Sequence, residues 1–529
     1  MLNKPRLLTP GPTPLPEQVR LALAQDMIHH RKAAFKDIML RVQGKLRTLF
    51  GTEQPVLPLS CSGTGAMTAA VHSLFAPGDK VLVVNGGKFG ERWQQIAAAR
   101  GLECVLLDVP WGRAVEPAAV EKALEADPDI SGVLMQLSET STGVLHPVRD
   151  VAAITRTRDV LLVADGISAV GLSPCPMDDW GIDCLLTGSQ KGLMLPPGLA
   201  LLALSARAWR KAEAIPSGCF YFNLPKERDN LAKGQTLFTS PVNLLVGLDV
   251  SLDMLLKDGL EAIYRKQWAL TMLTRTALAV MGLELFAPSH FAWGITSVRL
   301  PAGIDGVEVL RLAQEKYGII MAGGQDQLKG RIVRIGHMGW VDWADVAAGL
   351  FALDRCIFAV GGYSGARDYL VQGLAAYEAA LALPPGTPVV RRHNKRRSRP
   401  PASGPRQPIR HAMTGGPPPA RPQRMFRMSQ NNDGPARDTL PEVTFSTFVM
   451  SLASAALVQL GEVPNPETGT QVVHPRLARH SIDMLEMLHR KTTQGLDEQE
   501  RRLLESLLYE LRMKYVMKCG STGDGTPTA

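Results

Sequence analysis

One stretch of the sequence, TGSQKGLMLPPG at residues 187–198, decides how the whole chain is interpreted. Its single lysine, Lys191, stands among small residues and is followed by a Pro-Pro-Gly turn. Upstream, the apolar run LLVAD at residues 161–165 ends in the carboxylate of Asp165. An apolar run of this length, ending in a polar residue, is typical of a buried strand that leads into a ligand site. Lys191 and Asp165 are therefore the first two candidates for a functional site.

The region from about residue 55 to residue 240 alternates between short apolar runs and helical stretches. This alternation predicts an α/β fold with a mostly parallel sheet that is covered by helices on both faces. Ligands bind at the carboxyl ends of such strands, where we expect Asn85, Glu139, Asp165 and Lys191. The predicted strands cover residues 80–86, 104–108, 132–136, 160–165 and 182–187, and the predicted helices cover residues 90–100 and 117–126.

The pairing of a lysine with a strand-end carboxylate indicates a particular cofactor. Pyridoxal 5'-phosphate (PLP) requires an amine that forms a Schiff base and a carboxylate that keeps the pyridine nitrogen protonated. We therefore predict PLP as the cofactor, with Lys191 and Asp165 as the catalytic residues. Taken singly, Lys191 could be a surface lysine and Asp165 a turn carboxylate at the end of a strand.

The pattern of the chain predicts five segments. They are a PLP-binding large domain with an N-terminal arm (1–255), a small α+β domain (256–383), a disordered linker (384–440), a three-helix domain (441–518) and a disordered tail (519–529). After residue 240, helices are predicted at residues 243–256, 346–358, 365–381, 446–460, 475–491 and 497–517, and strands at residues 294–300 and 331–335. Asp497 and Glu500 resemble a capping arrangement at the start of the last helix.

The predicted linker carries the positive charge of the chain. Eleven basic residues and no acidic residue lie between Arg391 and Arg427, and removing these eleven from the net charge of +8 leaves −3 for the rest. We therefore expect no nucleic-acid partner beyond non-specific contact by this segment. The linker is either part of a functional fusion or the translated junction of two neighbouring reading frames.

The composition is that of a globular protein, with 45% hydrophobic and 20% charged residues. The seven cysteines are scattered and form no C-x-x-C pair, which favours reduced thiols in a cytoplasmic protein over disulfides or a zinc site. The histidines lack metal-ligand spacing, so no metal site is predicted. The N-terminus lacks the apolar segment of a signal peptide, and no run of 18 apolar residues predicts a membrane span.

Several motifs of the first 383 residues resemble those of class V aminotransferases of fold type I. They are LTPGPTP at residues 8–14, His30-Arg31, the Lys191 stretch, and RIGHMG at residues 334–339. The resemblance is strongest to the alanine–glyoxylate and serine–pyruvate aminotransferases. It implies a homodimer that transfers an amino group from alanine or serine to glyoxylate or pyruvate. The reaction would be ping-pong, through a Lys191 Schiff base and a pyridoxamine intermediate.

The resemblance also implies which residues hold the cofactor phosphate. Ser62, Gly63 and Thr64 open a helix, and main-chain N–H groups at a helix N-terminus bind phosphate, although the same turn could be a plain N-cap. Gln190 is expected near the phosphate. Thr239 is expected to reach the phosphate of the neighbouring subunit, although many relatives have a tyrosine where this chain has Thr236.

Three further roles follow from the resemblance. Phe89 corresponds to the aromatic residue that stacks on the cofactor ring, and Thr140 to a residue that contacts the ring near its phenolic oxygen. Arg334 is expected to bind the substrate carboxylate, because a guanidinium holds a carboxylate by two parallel hydrogen bonds. Without the resemblance, Phe89 would be assigned to the core and Arg334 to a surface ion pair.

Two other functions are compatible with the sequence. Cysteine desulfurase-like PLP lyases share this fold, but they typically place a histidine before the lysine, where this chain has Gln190, and we expect Cys356 to be a core residue. The chain could instead be a non-catalytic scaffold that uses its C-terminal helical domain. That domain resembles a bacterial family of unknown function, DUF1844, in residues 445–453 and 507–512.

Overall fold

The computed structural model describes residues 4–216, 218–388, 445–464, 470–492 and 496–519. Residues 389–440 of the predicted linker and residues 520–529 of the predicted tail lie outside the described residues. The chain forms two compact units, residues 1–399 and residues 400–529. Each unit is considered by itself.

The strands of the first unit lie in two main sheets and two short pairs. They are β1 (Arg6–Leu7), β2 (Val56–Leu59), β3 (Lys80–Asn85), β4 (Glu103–Asp108), β5 (Ile130–Gln136), β6 (Ser138–Glu139), β7 (Val144–Leu145), β8 (Leu161–Asp165), β9 (Cys184–Gly188), β10 (Ala200–Leu204), β11 (Glu284–Leu285), β12 (Ile295–Arg299), β13 (Ile319–Ile320), β14 (Ala322–Gly323) and β15 (Ile332–Gly336).

The helices of the first unit connect and cover these strands. They are α1 (Glu17–Leu23), α2 (Ala33–Phe50), α3 (Gly63–Leu74), α4 (Lys88–Arg100), α5 (Pro117–Ala126), α6 (Val148–Arg156), α7 (Met177–Trp180), α8 (Ala206–Ala214), α9 (Leu224–Leu231), α10 (Val242–Leu256), α11 (Leu260–Val280), α12 (Gly306–Tyr317), α13 (Trp343–Gly361) and α14 (Tyr369–Leu381).

The seven-stranded sheet has the order β2-β10-β9-β8-β5-β3-β4, and only β10 runs antiparallel to its neighbours. The predicted α/β fold with a mostly parallel sheet is confirmed. Every residue of β8, β9 and β10 is buried, which explains their unbroken apolar sequences, because strands covered on both faces do not alternate. The parallel order brings the ends of β5, β8 and β9 to one edge.

A second sheet, with the order β11-β12-β15-β14, is antiparallel and has its own core with α11, α12, α13 and α14. The predicted large domain includes the N-terminal arm, whereas β1 pairs in parallel with β13 and Leu8 is buried in this second core. From there the arm continues to Lys191, as described below.

The second unit contains α15 (Phe445–Gln459), α16 (Pro475–Lys491) and α17 (Glu498–Cys519), which share one apolar core. These helices begin and end within two residues of the predicted bounds. Asp497 accepts hydrogen bonds from Gln499 N and Glu500 N, and Glu500 accepts one from Asp497 N. The capping arrangement predicted from the sequence is therefore present. Across the described ranges, no helix is both long and apolar enough to cross a membrane.

Candidate active site

The candidate site lies at the carboxyl edge of the seven-stranded sheet. Gln136 and Asp165 end β5 and β8 as register partners, and β9 leads directly into Gln190 and Lys191. Short connections follow each strand and carry Glu139 and Thr140 as well. The sheet thus brings together residues that are far apart in sequence, as predicted.

Lys191 is buried, with 9% of its surface exposed, and the N-terminal arm covers it. Its amine donates a hydrogen bond to the carbonyl of Pro10, and Thr13 binds the Lys191 carbonyl through its hydroxyl at 3.2 Å. Gly11 has φ +115°, and a Cβ at this position would lie 2.6 Å from Lys191 Cε. Only glycine permits both this conformation and this close approach.

The amine of Lys191 is easier to deprotonate than that of an ordinary lysine. Burial lowers its pKa to about 8, the charge of Asp165 opposes this, and the charge of Arg334 lowers it further. A lysine with a pKa near neutrality can exchange protons readily, which is a property of catalytic lysines.

Asp165 has 4% of its surface exposed and accepts a hydrogen bond from Ile167 N at 2.8 Å. Burial raises its pKa to about 7, and the nearby carboxylate of Glu139 raises it too, while Lys191 and Arg92 act in the opposite direction. A buried carboxylate of this kind favours a cationic partner, because a positive charge beside it would stabilise its ionised form.

The residues predicted to bind phosphate lie at the N-terminus of α3. Ser62 is exposed at the N-cap and its side chain caps none of the described N–H groups, so its hydroxyl is available. Thr64 Oγ1 accepts a hydrogen bond from Arg92 Nη1 at 3.3 Å. Gln190 Oε1 is buried and has no partner among the described residues. The hydroxyls of Ser62 and Thr64 can donate to a bound anion, whereas Gln190 Oε1 is an acceptor and needs a donor.

Phe89 is half-buried in the first turn of α4, and the guanidinium carbon of Arg92 lies 4.8 Å from the centre of its ring. Arg92 therefore contacts both the predicted stacking residue and the predicted phosphate loop. Sequence analysis did not identify Arg92. Its spacing of three residues after Phe89, on one face of a helix, was the available signal.

Arg334 is buried, with 8% of its surface exposed, which does not fit the alternative of a surface ion pair. It donates to the carbonyl of Gly323 at 2.8 Å and to the carbonyl of Thr140 at 3.1 Å. Burial lowers its pKa, and the charge of Glu139 opposes that effect. The hydroxyl of Thr140 donates to Ser168 Oγ at 2.7 Å.

Thr239 lies three residues before α10. It lines an apolar cleft of about 510 Å³ with His29, His30 and other residues between 27 and 244, and Lys191 is not among them. The loop before Thr239 is held by Arg31, which donates to Gln235 Oε1 at 2.6 Å and to the carbonyl of Thr236 at 3.1 Å. The described lining of this cleft includes none of the other predicted site residues.

Two further predictions concern histidines and Cys356. His337 is buried between Thr296 and Gln267, and burial lowers its pKa to about 3, as fits a structural histidine. Cys356 is buried in α13, so its assignment to the core is confirmed. Within the described part of the chain, no group of three or more His, Cys, Asp or Glu side chains could hold a metal ion.

Two protein-family models and several known proteins are similar to this chain. The family model described as aminotransferase class-V matches residues 10–338, and the model described as a domain of unknown function (DUF1844) matches residues 442–517. The chain is 37% identical over 367 residues to the soluble hydrogenase small subunit of Synechococcus sp., covering 68% of this chain and 95% of that protein.

Other similar proteins carry names that state an activity. The L-aspartate–glyoxylate aminotransferase of Paracoccus denitrificans is 31% identical, with 72% of this chain and 100% of that protein covered. The serine–glyoxylate aminotransferase of Methylorubrum extorquens is 33% identical, with 63% of this chain and 86% of that protein covered. The crystal structure of the ureidoglycine–glyoxylate aminotransferase of Bacillus subtilis matches with a TM-score of 0.68 at 27% identity, covering 72% of this chain and 99% of that chain.

Proposed function

Because the chain belongs to the class-V aminotransferases, a PLP-dependent family, we propose that it transfers an amino group from alanine or serine to glyoxylate or pyruvate. The observation that carries the proposal is that Arg334, on β15 of the second sheet, reaches the carbonyl of Thr140 and lies close enough to Lys191 and Asp165 to form one charged cluster with them. A buried amine with a pKa of about 8, a buried carboxylate and a buried guanidinium are the groups that this reaction requires.

The residues of the site fit PLP. Lys191 would hold the cofactor through its amine, and Asp165 would pair with the ring nitrogen, which supplies the cation that a buried carboxylate favours. Ser62, Gly63 and Thr64 would hold the phosphate. Gln190 Oε1 has no partner among the described residues, so this amide can turn its N–H groups toward the anion. When bound, PLP supplies an electron sink for the charge that develops at the substrate Cα.

The other groups position the ring and the substrate. Phe89 would stack on the cofactor ring, and Thr140 would contact the ring near its phenolic oxygen. Arg334 would bind the substrate carboxylate and orient the Cα–H bond toward Lys191. The amine of Lys191 would then move the proton from Cα, because burial keeps part of it neutral near pH 8.

The amino donor is proposed to be small. Lys88, beside Phe89, is already paired with Glu91 and with Asp326, and Arg92 contacts Thr64. The two ion pairs of Lys88 leave it engaged, so it does not offer a second substrate carboxylate a free cation. Glyoxylate appears in the names of relatives with different donors, which supports it as the acceptor.

We also propose a homodimer, in which Thr239 contacts the phosphate at the neighbouring subunit's site. The proposal is supported by the cleft that Thr239 lines in its own chain, whose described lining includes no other predicted site residue. A complete site would then need two chains.

The desulfurase alternative requires a reactive thiol at the site. Cys61 directly precedes the phosphate loop, but burial raises its pKa to about 12, and burial raises that of Cys356 to about 11. Thiols with these pKa values are weak nucleophiles at neutral pH. Release of sulfide from L-cysteine would nevertheless decide for this alternative.

The test is an absorbance spectrum of the purified protein with PLP. We expect a visible band that disappears with L-serine or L-alanine and returns with glyoxylate or pyruvate, and that is absent in Lys191→Ala. L-Aspartate is the matched donor control. Failure to acquire a visible band with added PLP would contradict the proposal, and turnover of L-aspartate alone would contradict the small donor.

A further inference from the structure

Glu139 is a fully buried carboxylate, with 0% of its surface exposed, immediately before Thr140. Its Oε2 atom accepts hydrogen bonds from Phe89 N at 3.2 Å and Gly90 N at 3.3 Å. Its Oε1 atom accepts from Ser141 N at 3.1 Å and Ser141 Oγ at 2.5 Å. Burying a carboxylate is costly unless its lone pairs are satisfied, and these four donors satisfy them.

These contacts replace a missing helix cap. The first N–H groups of a helix have no partner within the helix, and α4 begins after Gly87, which has no side chain to cap them. Glu139 binds the N–H groups of Phe89 and Gly90, and Ser141 Oγ accepts a hydrogen bond from Lys88 N at 3.1 Å. Residues 139–141 thus hold three successive N–H groups of the turn that carries Phe89.

Gly87 allows the carboxylate to come this close. A Cβ at this position would lie 2.5 Å from both Glu139 Cδ and Ser141 Oγ. Because real Cβ atoms do not approach other atoms so closely, any side chain here would displace residues 139–141 from α4. The glycine therefore serves the contact with Glu139, since its φ of 167° is ordinary extended backbone.

The same short segment contacts the predicted substrate arginine. The carbonyl of Thr140 accepts a hydrogen bond from Arg334 Nη1 at 3.1 Å, one residue away from the Glu139 carboxylate. Glu139 also interacts electrostatically with both Asp165 and Arg334. It therefore lies near both the group proposed to pair with the ring nitrogen and the group proposed to bind the substrate, although the described residues show no hydrogen bond from Glu139 to either.

We propose that Glu139 is a positioning residue of the cofactor site, which acts by fixing the α4 turn so that the Phe89 ring stacks on PLP. This inference rests on the proposed function. It assigns Glu139 an indirect role, because its hydrogen bonds go to the main chain of the Phe89 turn. Loss of these bonds would let the turn move and would weaken the stacking.

The experiment is a titration of the full-length apoprotein with PLP, which measures the dissociation constant in Glu139→Gln, Phe89→Ala and the double variant. Glu139→Gln keeps the shape but removes the charge that attracts the N–H groups, and we expect about a tenfold weaker affinity. In the Phe89→Ala background the same substitution should change the affinity by less than about threefold, because residues that act through each other are not additive.

The matched control is Asp183→Asn. Asp183 is also a buried carboxylate with several partners, among them Leu162 N and Arg207, but it precedes β9 at the opposite edge of the sheet. We expect Asp183→Asn to lower the free energy of unfolding and to leave the PLP affinity of the folded protein unchanged. Glu139→Gln should instead change the affinity of the folded protein.

If Glu139→Gln does not fold, Gly87→Ala and Ser141→Ala serve instead, because they displace or weaken the same contact. Equal losses of PLP affinity with and without Phe89, or an unchanged affinity in these folded variants, would overturn the role of Glu139. If the unaltered protein does not bind PLP, the proposed function fails instead, and the two failures are thereby distinguished.

Discussion

Lys88 and Asp326 form an ion pair of 2.7 Å that joins the turn before Phe89 to the loop between β14 and β15. The loop begins directly after Gly323, the last residue of β14, whose carbonyl accepts a hydrogen bond from Arg334. The residue proposed to stack on the cofactor and the residue proposed to bind the substrate are therefore linked through one short loop. Asp326 adopts φ +45°, a left-handed conformation that asparagine tolerates far better than alanine.

This conformation separates two effects of Asp326 on stability. Asp326→Asn removes the half-exposed ion pair and should lower the free energy of unfolding by less than about 1 kcal/mol. Asp326→Ala also introduces backbone strain and should cost about 1 kcal/mol more. Denaturant unfolding of both variants measures the difference. Equal losses would show that backbone strain at Asp326 does not contribute.

Gly11 lies so close to Lys191 that a side chain at this position would collide with the lysine. Gly11→Ala places a methyl group 2.6 Å from Lys191 Cε at φ +115°, so we expect a loss of about 1–3 kcal/mol in stability and reduced PLP loading. Gly44→Ala is the control, since a Cβ there meets no atom within 4 Å in the middle of α2. It should stabilise the protein by about 0.5–1 kcal/mol. Unfolding curves measure the stability of both variants, and their visible absorbance measures PLP loading. Equal loading of Gly11→Ala and Gly44→Ala would contradict the prediction.

The parts of the fold that were predictable have short-range sequence signals. Strands such as β8 and β9 are buried on both faces, so their unbroken apolar runs predict them directly. Lys191 and Asp165 were identifiable because each residue type is required by the same cofactor. By contrast, the middle of α11, from Gln267 to Arg275, is buried on every side, so this part shows no amphipathic period that would mark it as a helix.

The contacts that sequence analysis missed join distant segments of the chain. Glu139 caps a helix that begins about fifty residues earlier in the chain, whereas sequence rules recognise caps within the same turn. The contact of the Lys191 amine with Pro10 likewise requires the N-terminal arm to cross the molecule. Neither contact has a local signature, because each arises only when the sheet brings its connections to one edge.

The buried amine of Lys191 predicts how the stability of the apoprotein depends on pH. Its pKa falls from 10.5 to about 8 in the folded protein, so between these values the unfolded chain binds more protons than the folded one. Stability therefore rises with pH from about 8 to about 10.5, by about 2–3 kcal/mol. The unfolding free energy of Lys191→Met should lack this rise, and identical pH profiles for the two proteins would contradict the lowered pKa.

The raised pKa of Asp165 predicts how PLP binding depends on pH. Pairing with the protonated ring nitrogen requires the carboxylate form, which predominates above a pKa of about 7. The affinity for PLP should therefore rise as the pH passes through 7 and should lose this dependence in Asp165→Asn. Titrations of the apoprotein with PLP from pH 6 to 8 measure it. If the PLP affinity of Asp165→Asn kept the same pH dependence, a group other than Asp165 would be responsible for it.

The role proposed for Arg334 depends on its planar guanidinium and not on charge alone. Lysine at this position keeps the charge but cannot hold a carboxylate by two parallel hydrogen bonds. Arg334→Lys should raise KM for the amino donor about 10–100-fold, the range expected for a lost hydrogen bond between charged groups, while the PLP affinity stays the same.

The matched control is Arg299→Lys on the neighbouring strand β12, where Arg299 is partly exposed and paired with Glu284. Steady-state kinetics with several amino donors should show no change in KM for this variant. If Arg334→Lys behaved like Arg299→Lys, the substrate carboxylate would have to bind elsewhere. Arg334 would then have only a structural role, in which its hydrogen bonds to the carbonyls of Gly323 and Thr140 hold the segment after β6 against the second sheet.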